Sequence, residues 1–491
     1  MLYLAYDYRK GKLFLLTGTW QKIKALPFAS KLLIGGIIWV TALYTLLPPL
    51  SYDTALYHWQ SMMWTETYPA VPGLANLHTR FGFDSNALLL HTAFSLQDVF
   101  GFHVIGINGL SLLVLFIWII FKIRESSWVT RLALALFAIV FLRYYDTNIA
   151  SPGTDLLPNI LIAYLLLRAA LDYRSMATAP LLYWVLPVFC LTLKLSTTPF
   201  CLFSVITFTI LVFINKQYKT IFPFVITGCI LLIPWFVRNV ILSGYLIYPY
   251  PSIDWFSVDW KVPLATAEGE NMVIRSFARV LDSDYQKVME LPLTVWGKMW
   301  LVRYFNISKM VILLLSLAVI SPFVVAFTQK KTLIKSPCKI TAWLIAFIGM
   351  IFWAVMAPDV RFAFSSIAGS ALIPFILINI NIKNAFLNKL PVIAGFLGIL
   401  FFTGVCFNVI RITKNDLSYS AFLYKPNVVH FTNTAASIEF KTSELGNNVI
   451  LYMPQSGDQC YDHSFPCAPD YCSDCLEMRG KSLREGFRMK K

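Results

Sequence analysis

Charge is what this sequence has least of. Only 14% of its 491 residues are Asp, Glu, Lys or Arg, against 57% hydrophobic. A water-soluble domain of that length cannot cover its surface with so little polarity, so an all-α polytopic membrane protein is expected. Acids are scarcest, 26 against 41 Lys and Arg, for a formal charge of +15. That excess base sits in short clusters between apolar runs, where it records membrane orientation, and nucleic-acid binding is set aside. Also missing are a Walker A loop, a dinucleotide glycine fingerprint, a GxSxG elbow and an HExxH helix, which removes support for nucleotide-driven transport and serine hydrolysis. Residues 1–30 contain no cleavable signal pattern, so the first helix is expected to stay as an anchor.

What is present is a series of apolar runs, at about 31–50, 103–121, 128–145, 155–171, 180–193, 199–214, 221–242, 309–328, 339–357, 362–380 and 391–410, which predict about eleven transmembrane helices. Lys194, Ser196 and Pro199 interrupt the pair at 180–214, which could also be a re-entrant hairpin. Arg9, Lys10, Lys12, Lys22 and Lys24 precede the first run. Lys122 with Arg124, Arg168 with Arg174, Lys216 with Lys219, Lys330 with Lys331 and Lys335, and Lys383 with Lys389 then mark every second loop as cytoplasmic. Loops 51–102, 146–154, 194–198, 243–308 and 358–361 and the tail from 411 fall on the other side. The N-terminus is therefore expected inside and the C-terminus outside. Nearly all the extramembrane mass is outward, and no internal repeat of the kind that builds transporters is seen.

Two units are expected: a transmembrane domain over 1–410, with outward loops 51–102 and 243–308, and a C-terminal module over 411–491. In the module, Asn448–Pro454 is strand-like and Cys460, Cys467, Cys472 and Cys475 crowd together. In an oxidising compartment they predict two disulfides, with three pairings open. The rival is a zinc site using Cys472 and Cys475 with Cys460, Cys467 or His463.

Polar residues in so apolar a chain need a reason. Residues 54–65 predict a helix lying along the interface, with Thr54, His58, Ser61 and Thr65 on one stripe and Asp53 at its N-terminal end. Asp53 or Ser51 could simply cap that helix, but capping does not explain why His58, His78, Arg80 and Asp84 gather in the same loop. Asp155 opens a second helix on the same side; it too suits a cap, and equally suits a carboxylate at the same depth as Asp53. Arg361 either snorkels and pairs with Asp359 or recognises a phosphate with its planar fork. Arg238 and Lys194 lie near the outer ends of apolar segments, where a cation requires a partner: Asp155, Asp53 or an anionic ligand.

The segment Pro234-Trp-Phe-Val-Arg-Asn-Val-Ile-Leu-Ser-Gly-Tyr-Leu-Ile-Tyr-Pro249 resembles the PW..RN...(T/S)GNP.YP element of bacterial members of the GT-C superfamily of integral membrane glycosyltransferases, with Tyr245 and Leu246 replacing Asn-Pro. Pro358-Asp-Val-Arg-Phe resembles that superfamily's acidic-x-Arg-(Phe/Tyr) element. Tyr52-Asp-Thr-Ala-Leu-Tyr-His58, Val71-Pro-Gly-Leu-Ala-Asn-Leu-His-Thr-Arg-Phe-Gly-Phe83 and Gly457-Asp-Gln-Cys460 are similar to a group of uncharacterised bacterial multipass proteins assigned to it. That closer likeness runs through nearly the whole chain and brings no substrate with it.

The resemblance implies transfer of a sugar from a polyprenyl-phosphate donor to a lipid or glycan hydroxyl on the outer face of the inner membrane, with inversion at the anomeric carbon. Asp53 would be the general base, His58 and Asp155 would orient it or the acceptor, and Arg361, with Arg238 or Lys194, would hold the donor phosphate. His78, Arg80 and Asp84 are loop candidates for the acceptor. Many GT-C enzymes have two adjacent acids where this chain has Asp53-Thr54. Asp53 is then the sole candidate of that motif, and a divalent metal is left open. A lipid-linked glycan transporter and an oligosaccharide ligase or polymerase are the alternatives.

Overall fold

The computed structural model describes most of residues 21–378, a few positions between 403 and 410, and most of 438–490. Residues 28–377 form a helical bundle. We number the principal helices α1 (Phe28–Thr45), α2 (Trp59–Thr67), α3 (Asn86–Ala93), α4 (Ile107–Glu125), α5 (Trp128–Tyr145), α6 (Leu156–Leu171), α7 (Leu182–Leu193), α8 (Thr198–Ile214), α9 (Ile221–Ser243), α10 (Leu264–Arg279), α11 (Leu293–Ile307), α12 (Lys309–Thr328), α13 (Thr341–Met356) and α14 (Phe364–Leu377). Every expected apolar run from 31–50 to 362–380 contains one of these helices. The run at 391–410 lies mostly outside the described residues.

Among the described residues, five stretches are long and apolar enough to cross a membrane: Ile107–Glu125, Trp128–Asn148, Leu195–Ile214, Tyr218–Ser243 and Lys309–Thr328. Further apolar helices are shorter, among them Leu156–Leu171, Thr341–Met356 and Phe364–Leu377. The architecture is thus compatible with a membrane protein.

Helix α14 is the bundle's axis. Its sequence, FSSIAGSALIPFIL, is dense in Ser, Ala and Gly, and nearly every residue from Phe364 to Ile376 is buried. Small side chains let helix backbones approach closely, and α14 packs against α5, α6, α12 and α13 around a core that includes Phe137, Phe141, Ile160, Leu314 and Met350. Because α14 starts three residues after Arg361, this close packing fixes where that guanidinium emerges.

The segments that charge patterning assigns to one side are bound to one another. Ser51 N donates to Ser151 Oγ at 3.2 Å, Ser85 Oγ to the Leu193 carbonyl at 2.6 Å, and Ser196 Oγ to the Phe362 carbonyl at 3.3 Å. The 243–308 segment, expected as a loop, holds α10 and α11. Helix α11 exposes Leu293, Met299, Leu301, Val302, Phe305 and Ile307 while burying Trp300 and Tyr304.

One expectation is corrected. Residues 54–65 do not form a half-exposed amphipathic helix: Thr54–His58 form a π-helical turn that runs into α2, and Thr54, Ala55, Leu56, Tyr57, His58, Trp59, Gln60, Met62 and Trp64 are all buried. The tail packs over them. Strands β1 (Phe440–Gly446) and β2 (Val449–Pro454) form a hairpin through Asn447 and Asn448, both at positive φ as a two-residue turn requires. Strands β3 (Leu476–Met478) and β4 (Phe487–Met489) form a second antiparallel pair. Leu451, Met453, Leu476 and Phe487 of the tail share one core with Leu56, Trp64, Val71, Leu74 and Phe81 of the 51–102 loop. The backbones cross closely where Phe487 N donates to the Pro72 carbonyl at 2.9 Å, between Gly73 (φ +64°) and Gly486 (φ +86°).

Cys460 bonds Cys467 and Cys472 bonds Cys475. The expected pair of disulfides is therefore present with local pairing. His463 lies outside the described residues.

A candidate site at the Asp53–Arg361 ion pair

The turn bearing Arg361 is held from four sides. Trp300 Nε1 donates to the Pro358 carbonyl at 2.6 Å and Trp353 Nε1 to the Asp359 carbonyl at 2.6 Å. The Tyr304 hydroxyl accepts from Val360 N at 3.2 Å, and both Tyr145 Oη and Asn159 Nδ2 donate to the Arg361 carbonyl at 3.1 Å. Asp359 caps the turn by accepting from Arg361 N at 3.0 Å and also accepts from Arg361 Nε at 3.2 Å. With one edge on Asp359, the guanidinium turns Nη1 to Asp53 Oδ2 at 3.1 Å. The pairing with Asp359 and the meeting with Asp53 coexist.

Asp53 makes no capping hydrogen bond to the turn it precedes. Its other oxygen faces Arg80 Nη1 at 3.5 Å, and Arg80 Nε lies 3.6 Å from Glu270 Oε1 on α10. Thr79 Oγ1 donates to Glu270 Oε2 at 2.7 Å. Burial pushes the Asp53 pKa up, but Arg361, assisted by Arg80 and Lys194, outweighs it and holds the carboxyl below its ordinary value. Asp53 is therefore ionised at neutral pH. Arg361 retains 40% of its side-chain exposure and Asp53 23%, so the pair opens to solvent instead of being sealed.

Asp155 likewise makes no cap bond. It pairs with Lys194, which also donates to Thr154 Oγ1 at 3.3 Å and lies 4.5 Å from the centre of the Phe362 ring. Phe362 adjoins Arg361, so this second ion pair flanks the first. Among these groups, four carboxylates (Asp53, Asp155, Asp359, Glu270) face three cations (Arg80, Lys194, Arg361).

Arg238 is not part of this cluster. Of the partners expected for it, Asp155, Asp53 or an anionic ligand, neither aspartate is met: Nη1 donates to Asp84 Oδ1 at 2.6 Å and Nη2 to Thr65 Oγ1 at 3.3 Å. Asp84 is further held by Asn239 Nδ2 at 3.5 Å, and its carbonyl accepts from Trp235 Nε1 at 2.9 Å. Thus the Pro234–Asn239 element and Asp84 form a structural tie between α9 and the loop, and α9 packs against residues 74–82 of that loop.

His58 closes the π-turn and is buried, with neither ring nitrogen hydrogen-bonded among the described residues. Burial lowers its pKa to about 4 against a smaller upward pull from Asp53. His78 is buried with Nδ1 unpartnered among the described residues, and burial with nearby Arg80 lowers it to about 3.

Sequence reading missed Glu270, which looks like one of several solvated acids on an amphipathic helix, and His91, buried in α3 beside His58 with its pKa lowered to about 3 by burial. It also missed the tail's contribution. Tyr52 Oη donates to Asp458, Gln459 Nε2 donates to the Tyr52 carbonyl at 3.2 Å, and Tyr461 N donates to the Ala55 carbonyl at 2.9 Å. The Gly457-Asp-Gln-Cys460 segment is therefore seated on the Asp53 turn. Among the described residues, no three His, Cys, Asp or Glu side chains are grouped as a metal site would require.

The fold and site define a mostly helical protein with five candidate membrane-spanning stretches among the described residues and an ion-paired acid and arginine at one end of its bundle. The chain belongs to the family described as Domain of unknown function (DUF8201), which matches residues 1–368. That span contains Asp53, Arg80, Asp155, Lys194, Glu270 and Arg361 and stops short of the cysteine-bearing tail. No curated protein and no solved structure matches the chain.

Proposed function

We propose that the chain is a membrane-embedded glycosyltransferase of GT-C type, which moves a sugar from a polyprenyl-phosphate donor to an acceptor hydroxyl at the outer face of a bacterial inner membrane. The observation that carries this reading is the meeting of Asp53 Oδ2 and Arg361 Nη1 at 3.1 Å, partly open, at the end of an apolar bundle. A lipid-borne donor needs that combination: access from the membrane, a cation for its phosphate and a base for the acceptor. The lysine and arginine clusters in alternate loops support a cytoplasmic N-terminus and an external site.

In the reaction, the acceptor oxygen forms a bond to the anomeric carbon as that carbon's bond to the phosphate oxygen breaks, and the electron pair leaves with the phosphate. Asp53 takes the acceptor proton. Arg361 meets the growing phosphate charge with two donors in one plane. Attack opposite the leaving phosphate inverts the anomeric centre. Lys194, paired with Asp155 and set against the Phe362 ring, is the second cation for the phosphate; Arg80 keeps Asp53 oriented.

The test is incubation of the purified protein with a polyprenyl-phosphate sugar and envelope glycans, with mass spectrometry of the glycolipid and of surface glycans from a deletion strain. Consumption of donor and loss of a surface sugar are expected. Glycolipid left intact would overturn the reading and favour transport.

A further inference from the structure

Helices α10 and α11 carry three arginines that take no part in the chemistry above. Arg80, Arg238 and Arg361 each meet a carboxylate. Arg275, Arg279 and Arg303 form no ion pair among the described residues, and the Nε of each is buried there without a hydrogen bond. Among the described residues, the nearest acids along the chain from α10's pair are already taken: Glu270 by Thr79 and Arg80, Asp284 by the Lys287 amide.

The three arginines share one seam. Arg275 and Arg279 are four residues apart on α10 and so lie on one face. That face meets α11, because the Arg279 guanidinium lies 5.1 Å from the centre of the Trp296 ring. Arg303 reaches back from α11 to the same turn, with Nη1 donating to the Phe277 carbonyl at 3.5 Å. Like charges at the Arg275–Arg279 spacing oppose each other on a helix, and burial, with Arg275 alongside, lowers the Arg279 pKa. A partly buried cation without an acid is also costly. An anion arriving from outside relieves both strains.

The surroundings select the kind of anion. Helix α11 exposes Leu293, Met299, Leu301, Val302, Phe305 and Ile307. After Ser308 the chain runs directly into Lys309–Thr328, one of the stretches long and apolar enough to cross a membrane. An exposed apolar helix side joined to such a stretch, with guanidiniums at its flank, complements acyl chains and a phosphate together. A soluble anion would use only half of that surface.

We propose that the α10–α11 seam binds an anionic phospholipid, with Arg275, Arg279 and Arg303 on its phosphate and its chains along the exposed side of α11. This site stands apart from the transferase reading and needs no sugar donor.

The purified full-length protein in detergent is titrated with dioleoyl-phosphatidylglycerol, dioleoyl-phosphatidylcholine and inorganic phosphate, with native mass spectrometry for bound lipid and thermal melting for stability. Phosphatidylglycerol stays bound and raises the melting temperature, phosphatidylcholine binds more weakly, and phosphate does neither. Arg275→Gln combined with Arg279→Gln weakens phosphatidylglycerol about thirtyfold, the joint worth of two basic residues at an anionic lipid surface. In lipid-free detergent this variant melts no lower than the wild type, since it removes a like-charge pair. Should it melt lower, Arg275→Gln alone is measured, with a loss of about fivefold expected. Equal binding of the two lipids, phosphate binding as tight as that of lipid, or phosphatidylglycerol affinity untouched by these substitutions overturns the proposal.

Discussion

Asp53 and Arg361 are 308 residues apart in the chain and 3.1 Å apart in space. Arg361 cannot drift away from this contact, because Trp300, Tyr304, Trp353 and Tyr145 hold the backbone of its turn. An arriving phosphate must therefore share or take the guanidinium from a carboxylate already in place.

Replacing Asp53 by Asn removes a negative charge while keeping the shape. Since four carboxylates face three cations, the variant should bind donor more tightly than the wild type. Transfer should fall about 10²–10⁴-fold, the usual contribution of a general base. Donor affinity and turnover measured together check both signs, and unchanged turnover removes the base assignment.

Arg361→Lys keeps the charge and loses the planar fork. The expected result is a rise in KM for the donor that exceeds any rise for the acceptor. Kinetics equal to those of the wild type would assign Arg361 to holding Asp359 alone.

Asp84→Ala strands the Arg238 guanidinium, whose partner carboxylate is fully buried. Removing one member of such a pair costs about 3–5 kcal/mol, and Arg238→Met in the same chain should recover much of it. Thermal unfolding of the single and double variants decides. A single variant that melts with the wild type would mean that the tie between α9 and the loop contributes nothing.

Burial holds His58 at about 4 and His78 and His91 at about 3, below the ordinary 6.5. As pH falls, the unfolded chain takes up these protons first. The stability that neutral burial contributes is thus complete above about pH 6.5 and is lost progressively below it, toward the folded pKa values. Asp53, lowered from 3.8, acts in the same direction in more acid solution. The melting temperature should be level above about pH 6.5 and decline between about 6.5 and 4. A rise on acidification would contradict the neutral burial of these rings.

A Cβ on Gly486 would lie 2.0 Å from the Pro72 carbonyl oxygen, and one on Gly73 2.1 Å from that of Phe487. Positive φ adds about 1–3 kcal/mol of strain for any other residue. Gly486→Ala should therefore loosen the tail, read as faster tryptic cleavage at Lys481, Arg484 and Arg488. Cleavage at the wild-type rate would show that the crossing tolerates a side chain.

The helices are legible in the sequence because a bilayer-length apolar run has few alternatives, while sidedness and depth allow Asp53 to meet Arg361 without fixing that contact. The partner of Arg238 is not legible, since which acid reaches it depends on whether α9 packs on the loop or on α6. Trp59, Met62 and Trp64 read equally well as the apolar face of an interfacial helix or as core, and only the docked tail decides. Glu270 is hidden for a related reason: its role comes from Thr79 and Arg80, residues of another segment brought against α10 by tertiary packing.

The shared core of Trp64, Leu74, Phe81 and Phe487 imposes an order on biogenesis. The loop that carries Trp64 leaves the ribosome several hundred residues ahead of the strand that covers it, an interval on the order of half a minute at ordinary elongation rates. During that time its apolar side chains stand uncovered, so the core beneath the Asp53 turn closes only after Phe487 has been made.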